Sequence, residues 1–358
     1  MIAGGGTGGH LFPALALAEA FRARDPGNAI LFVGGRRGLE ERILSQAGFA
    51  LKTIEVAGLK GRSWRAKGKG LLAIPRSLVE SWKVIRGFRP DVVLGMGGYA
   101  SGPVVLTAWG MGVKTAIHEQ NAFPGLSNRI LGRFVERTFL SFPGSARFFP
   151  PAKRVVAGNP VRKSIGGGKG SASRIEGSAF TLLIFGGSQG AHRLNLAMVD
   201  GLKNLGELRG RLRIIHQTGN RDWEEVQRAY RREKFNAEVH PFIQEMDRAY
   251  AAADLVLCRA GATTLFELMA AGKPAILVPY PHAANDHQRL NAQALVNAGA
   301  ALMVADGNLN GRSLTDLVRQ LADDPQQRSR MAARAAALAQ PEAAEQIVNA
   351  CYTMVGHE

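Results

Sequence analysis

Apolar and polar positions along this chain fall into two alternating kinds of run. Short, wholly apolar stretches end in glycines or small polar clusters. Longer stretches between them carry apolar residues three and four apart. The first kind reads as buried parallel strands and the second as amphipathic helices. Strands are predicted at 29–33, 91–94 and 114–117, with helices at 13–24 and 77–88. After a break the rhythm resumes with strands at 181–185, 213–217, 237–240, 255–258 and 275–278, and a last helix at 342–355 follows Pro341. Such alternation predicts an α/β fold with parallel sheets covered by helices on both faces.

The break is residues 151–178. Pro150-Pro151, Gly166-Gly167-Gly168 and Lys169-Gly170-Ser171 read there as a domain linker. A length of 358 residues also suits two domains. Two glycine-rich loops sit at matching places in the halves: Gly4-Gly5-Gly6-Thr7-Gly8-Gly9-His10 and Gly186-Gly187-Ser188-Gln189-Gly190-Ala191. Each follows an apolar run and precedes a predicted helix. Such loops bring backbone N–H groups and a helix N-terminus close to a phosphate. Two of them predict two similar Rossmann-like domains facing a shared cleft. The first strand, Met1-Ile2-Ala3, is shorter than a usual strand. Either the natural chain starts upstream or this strand is unusually brief.

Composition narrows the class. The two cysteines, Cys258 and Cys351, form no disulfide framework or zinc spacing, which points to a reducing compartment. No apolar run has the roughly 18 residues needed to span a bilayer. Net charge is +16 and unevenly placed. Between Lys60 and Arg89 nine Lys/Arg face one acid, Glu80. That segment suits nucleic acid, anionic lipid or a phosphorylated substrate, or else is a solvated basic face.

The motifs exclude some chemistry. Gly4, Gly6 and Gly9 match G-x-G-x-x-G, but the second strand ends Gly34-Gly35-Arg36-Arg37, without the acid that an NAD ribose needs, which disfavours NAD and leaves NADP only thin support. No Gly-Lys-Ser/Thr follows a glycine loop, which excludes a P-loop NTPase. No two aspartates are two apart, so activity without a divalent metal is expected. Arg259-Ala260-Gly261-Ala262-Thr263-Thr264-Leu265-Phe266-Glu267 follows a strand and opens a helix. Ala262, Thr263 and Thr264 would present N–H groups to a diphosphate, and Glu267 would accept from ribose hydroxyls. The competing reading is a capping box, Thr264-x-x-Glu267, which needs no ligand. Arg162, in Asn159-Pro160-Val161-Arg162, could fork onto a phosphate. His287 and Gln288 could bond sugar hydroxyls.

Gly-Gly-Thr-Gly-Gly-His (5–10), Gly-Met-Gly-Gly-Tyr (95–99), His-Glu-Gln-Asn (118–121), Asn-Pro-Val-Arg (159–162), Gly-Gly-Ser-Gln-Gly-Ala (186–191) and Arg-Ala-Gly-Ala (259–262) occur in that order. Together they resemble the MurG family of bacterial N-acetylglucosaminyltransferases over essentially the whole chain. The resemblance implies a GT-B fold. Its N-terminal acceptor and membrane-binding domain would be 1–161, rejoined by the last helix within 340–358. Residues 162–339 would bind UDP-N-acetylglucosamine. It further implies Ile243 beside the uracil, Glu267 on the ribose, and Ala262, Thr263, Thr264, Ser188 and Arg162 around the diphosphate. Gln288 would touch the sugar. Thr7, Gly8, Gly9 and Asn121 would also bind substrate, and the acceptor would be undecaprenyl-pyrophosphoryl-muramyl-pentapeptide. The implied reaction inverts at the anomeric carbon, uses no cofactor or nucleic acid, and serves peptidoglycan synthesis, hence cell shape and division.

His10 is the candidate general base, since imidazole titrates near neutrality, and Glu119 is its competitor. A lipid-borne acceptor also gives the basic segment a purpose. Leu71, Leu72, Leu78, Trp82 and Trp109, rimmed by Lys67, Lys69 and Arg76, would rest on an anionic membrane at its cytoplasmic face. The same apolar residues could instead be the buried face of a helix. Three other readings remain: a glycolipid synthase with a diacylglycerol acceptor, a UDP-N-acetylglucosamine epimerase, and a nucleotide-sugar sensor.

Overall fold

A computed structural model describes residues 1–35, 38–56, 64–166, 180–187 and 189–356, with 38–40 and 64–74 described by backbone alone. The chain divides into two compact units, Met1–Arg162 with Gln340–Glu358, and Lys163–Ala339.

The first unit is built on seven strands: β1 (Ile2–Ala3), β2 (Leu31–Gly34), β3 (Ala50–Thr53), β4 (Val92–Gly95), β5 (Lys114–Glu119), β6 (Arg137–Leu140) and β7 (Arg154–Val156). They pair in the order β3-β2-β1-β4-β5-β6-β7, all parallel. β1 is assigned only two residues, yet its ladder is longer. The Leu94 N–H donates to the Met1 carbonyl, and the Gly4 N–H donates to the Val33 carbonyl. Successive side chains of a strand point to opposite faces. Leu94, Ala116 and Phe139 accordingly join one core with helices Gly8–Arg24 and Ala343–Met354. Val93, Ile117 and Leu140 join the other with Val104, Val105 and Ala108 of helix Ser101–Gly110.

Helix Ala343–Met354 buries Ile347, Val348 and Cys351 in the core it shares with helix Gly8–Arg24. Arg24 donates to Asn349 Oδ1 at 2.7 Å, and Asn28 Nδ2 donates to the Tyr352 hydroxyl at 2.7 Å. Gly8–Arg24 starts earlier than the sequence pattern predicts and holds Pro13 inside it. The start at Gly8 joins the helix N-terminus directly to the first glycine loop.

The second unit repeats the plan with β8 (Phe180–Phe185), β9 (Leu212–Gln217), β10 (Asn236–His240), β11 (Leu255–Cys258), β12 (Ala275–Leu277) and β13 (Ala301–Met303). Their order is β10-β9-β8-β11-β12-β13, again parallel. β8 is buried along its whole length, as expected for a strand covered on both faces.

Four strands escape the sequence pattern: β3, β6, β7 and β13. β3 and β7 are edge strands with exposed residues, so their apolar signal is thin. β7 also falls within the stretch expected to be linker; of that stretch, 167–178 lie outside the described residues. In each sheet the strand order reverses beside the first strand, between β1 and β4 and between β8 and β11. Open parallel sheets bind ligands beyond the strand C-termini at that switch point. The first glycine loop follows β1 and Gly97-Gly98 follows β4. The second loop follows β8 and Arg259-Ala260-Gly261 follows β11. Four of the sequence motifs therefore flank the two switch points.

Candidate functional site

At the first switch point two loops close on each other. A Cβ on Gly98 would strike the Gly5 carbonyl, and one on Gly97 would lie 2.9 Å from His10 Cε1. Both glycines also have positive φ, so the pair permits a close approach that any side chain would prevent. Thr7 is the N-cap of helix Gly8–Arg24 without a side-chain cap bond, Gly8 and Gly9 form its first turn, and His10 follows. The imidazole of His10 is half-exposed, with Nδ1 3.2 Å from Gln120 Oε1.

His118 and Glu119 end β5 inside the protein rather than on a loop. His118 is fully buried, and burial pushes its pKa down to about 4. Glu119 is 2% exposed, and burial pushes its carboxyl above the ordinary range against the pull of its hydrogen bonds. Oε1 accepts from the Asn121 amide at 3.0 Å and from Asn121 Nδ2 at 3.2 Å. Oε2 accepts from the Gly125 amide at 3.1 Å and from Asn128 Nδ2 at 2.8 Å. Glu119 therefore pins the loop before helix Leu126–Leu131 and orients Asn121. Both carboxylate oxygens are engaged in this work. Arg162 lies in the first unit, with its guanidinium 4.7 Å from the centroid of the Phe12 ring.

At the second switch point helix Ala262–Ala271 starts directly after Gly261, its N-cap, which has no side chain to cap the first turn. This corrects the capping-box alternative. Thr264 is the third residue of the helix and not its N-cap, so Thr264 and Glu267 cannot form the box. The first turn, Ala262-Thr263-Thr264, instead faces the switch point with the positive end of the helix dipole. Glu267 is buried one turn on, where Tyr250 donates its hydroxyl to Oε2 at 3.1 Å. Arg259 is buried behind the turn. Its Nη1 donates to Asp306 Oδ1 at 2.6 Å and to the carbonyls of Val278 and Pro279. Ser188 lies outside the described residues.

Two further contacts set what the second unit can offer. The Ile243 amide donates to Gln217 Oε1 at 2.7 Å, while Gln217 Nε2 donates to the Gly187 carbonyl at 2.9 Å. The Ile243 N–H is therefore already engaged. Gln288 Oε1 accepts the Tyr280 amide at 2.9 Å, so its Nε2 is turned towards donation. His287 donates from Nδ1 to the Ala284 carbonyl.

The basic and apolar segment is partly described. Leu71, Leu72, Lys67 and Lys69 belong to helix Trp64–Phe88, but their side chains lie outside the described residues. Leu78 is half-buried; Trp82 and Trp109 are 41% and 44% exposed. Arg76 is tied to Glu55 at 2.8 Å and to Glu80 at 3.1 Å, so its guanidinium is already committed. Trp109 packs edge-on against Phe134, and Leu126 and Ile130 are exposed on the helix beside it. Among the described residues, no helix is long and apolar enough to cross a membrane, and no group of three His, Cys, Asp or Glu side chains could hold a metal ion.

Sequence reasoning missed Gln120, Gln217, Asn128, Tyr250 and the Arg259–Asp306 pair as parts of these sites. Gln120 and Arg259 stood inside quoted motifs, so their signal was present. Gln217, Asn128, Tyr250 and Asp306 act through partners distant in sequence.

The chain matches the glycosyltransferase family 28 N-terminal domain over residues 1–140 and the family 28 C-terminal domain over 181–347. A UDP-N-acetylglucosamine–N-acetylmuramyl-(pentapeptide) pyrophosphoryl-undecaprenol N-acetylglucosamine transferase of Syntrophus aciditrophicus is 51% identical over 99% of this chain and 98% of its own length. The crystal structure of Acinetobacter baumannii MurG superposes with a TM-score of 0.80 at 32% identity, covering 99% of this chain and 98% of that one. A UDP-N-acetylglucosamine 2-epimerase of Neisseria meningitidis shares the fold, with a TM-score of 0.67, at 14% identity over 98% of this chain and 98% of its own. The two parallel sheets are those of a GT-B glycosyltransferase, and the chain belongs to glycosyltransferase family 28 and, within it, to the MurG family.

Proposed function

We propose that this family member performs its transfer by one inverting displacement, with the second unit carrying the donor and the first supplying the base. The enzyme is a UDP-N-acetylglucosamine-dependent N-acetylglucosaminyltransferase of peptidoglycan synthesis. It moves N-acetylglucosamine onto undecaprenyl-pyrophosphoryl-muramyl-pentapeptide. The observation that carries this reading is 51% identity along 99% of the chain to a transferase of that name, against 14% to an epimerase of the same fold.

In the reaction the acceptor's 4-hydroxyl attacks the anomeric carbon. Its proton passes to His10 Nε2, the new C–O bond forms, and the bond to the diphosphate breaks with its electron pair leaving on UDP. Charge growing on that diphosphate meets the first turn at Ala262, Thr263 and Thr264, with Ser188 and Arg162 completing the site. These are dipoles and charges set before the reaction begins. Glu267 takes the ribose hydroxyls, the Ile243 backbone reads the uracil, and Gln288 donates to the sugar. Thr7, Gly8, Gly9 and Asn121 line the acceptor side.

The acceptor's lipid brings the enzyme to a membrane surface. The cytoplasmic face is our assignment, supported by two free, buried cysteines. Lys67, Lys69, Leu71, Leu72, Leu78, Trp82 and Trp109 form the contact, with Arg76 contributing less than the sequence suggests because Glu55 and Glu80 hold it. The exposed Leu126, Ile130 and Phe134 extend the apolar area beside Trp109. Incubation with radiolabelled donor and lipid-linked acceptor tests the whole reading. Label appearing in the lipid fraction is expected; epimerised free nucleotide or binding without turnover overturns it.

A further inference from the structure

Four hydrogen bonds link the half-exposed ring of His10 to the protein interior, and two backbone carbonyls fix their direction. A carbonyl can only accept. The Gly158 carbonyl lies 2.9 Å from His118 Nε2, so that nitrogen carries a proton. His118 is neutral at physiological pH, because burial holds its pKa near about 4. Its Nδ1 is therefore an acceptor, and Gln120 Nε2 donates to it at 3.1 Å. The Met96 carbonyl takes the second proton of the same amide nitrogen at 2.9 Å. Both amide protons of Gln120 are spent, and their positions settle which way the amide points. Its Oε1 faces His10 and can only accept from Nδ1 at 3.2 Å.

We infer that Gln120 is a positioning residue that holds His10 in the Nδ1–H tautomer, leaving the lone pair on Nε2 for the acceptor's hydroxyl. This rests on the reading of His10 as base. The chain runs from Gly158 through His118 and Gln120 to His10, and it carries no net charge. A carboxylate in place of Gln120 would also accept from Nδ1, but it would raise the basicity of the ring and oppose the Met96 carbonyl. A neutral amide orients the imidazole without holding its proton after transfer. Gly97 backs the ring from the other side, where a methyl group would lie 3.0 Å from Nδ1. The titratable groups on the elements around His10 are Lys114, His118 and Glu119 on β5, Tyr99 after β4, Glu19, Arg22 and Arg24 farther along its own helix, and Glu345, Cys351 and Tyr352 on helix Ala343–Met354 packed against that helix. Glu119 is committed to Asn121, Gly125 and Asn128.

The test combines two variants with a spectroscopic readout. Gln120→Leu should lower kcat at least about tenfold, within the roughly 10²–10⁴-fold that a general base supplies, with the KM for UDP-N-acetylglucosamine within about twofold of wild type. Gln120→Glu should move the acid limb of the kcat–pH profile upward by about one unit or more, because an anion beside the ring favours its protonated form. Nitrogen-15 NMR of the histidine-labelled wild type, which needs no variant to fold, should show the His10 proton on Nδ1 and the His118 proton on Nε2. A His10 proton on Nε2, or wild-type kcat and pH profile in both variants while His10→Ala is inactive, overturns the inference and leaves the base assignment standing. Full turnover in His10→Ala overturns the base assignment itself.

Discussion

Both halves of the molecule place a buried histidine network beneath a glycine loop, yet the two networks end differently. In the second unit His216 accepts at Nδ1 from the buried Tyr230 hydroxyl at 2.8 Å and donates from Nε2 to Asn195 Oδ1 at 3.1 Å. Asn195 Nδ2 donates in turn to the Thr218 carbonyl at 2.8 Å and to Asp222 Oδ2 at 2.7 Å. Burial pushes His216 down to about 3 and Tyr230 upward, so neither exchanges a proton near neutrality. In the first unit the corresponding chain leaves the interior and finishes on His10, which is half-exposed. The same device serves rigidity in one half and, on our reading, proton transfer in the other. The second network also reaches a half-exposed ring, because Asp222 Oδ1 pairs with His192 Nδ1 at 2.9 Å, so what separates them is the last link: a neutral Gln120 amide before His10 and the Asp222 carboxylate before His192.

The largest effect that could break this comparison is on turnover. His10→Ala should lower kcat by about 10²–10⁴-fold while donor binding, read by calorimetry, and the melting temperature stay close to wild type. A variant that loses stability and rate together would make the first network structural as well.

The second unit should respond through stability. Asp306→Ala strands the buried Arg259 guanidinium and should cost about 3–5 kcal/mol in a denaturant melt. A loss below about 1 kcal/mol would mean that solvent reaches the arginine and that the turn behind helix Ala262–Ala271 is not held by it.

Glu267→Gln exchanges a carboxyl group for an amide and should weaken UDP binding about fivefold, since hydrogen bonds to charged groups gain roughly a further 1 kcal/mol. Unchanged affinity would remove Glu267 from the ribose.

A further test reads a slope with pH that the two networks share. His118 and His216 have folded pKa values of about 4 and about 3, below the ordinary 6.5. Above pH 6.5 both are neutral in either state and contribute no slope. As pH falls below 6.5 the unfolded chain binds protons that the fold cannot take. Stability should then fall by about 1.4 kcal/mol per pH unit for each histidine. Urea melts from pH 7.5 to 5 would read the slope, and His216→Gln should remove about half of the histidine share. A flat profile would mean that one or both rings are charged in the native state.

Much of the fold was legible in the sequence because strands covered on both faces are continuous apolar runs, as in 181–185 and 255–258. The edge strands β3 and β7 were not, since exposed positions there tolerate Lys52, Thr53 and Arg154. The glycine loops were visible because backbone that closes on backbone tolerates no side chain, as Gly98 against Gly5 illustrates. Helix starts were harder to read. Pro13 suggested a first turn where the chain has already been helical since Gly8, and Thr264-x-x-Glu267 imitated a cap that Gly261 supplies.

The sequence by itself determined the family, the two-sheet plan and the residue types gathered at the strand ends, because periodicity and glycine spacing are local properties. Only the tertiary structure decided the states of those residues. It turned Glu119 into a loop anchor, engaged the Ile243 amide with Gln217, committed Arg76 to Glu55 and Glu80, and fixed the direction of each bond from Gly158 to His10. Those outcomes depend on which carbonyl or carboxylate the fold brings within about 3 Å of a given proton, and the partners are often tens of residues apart along the chain.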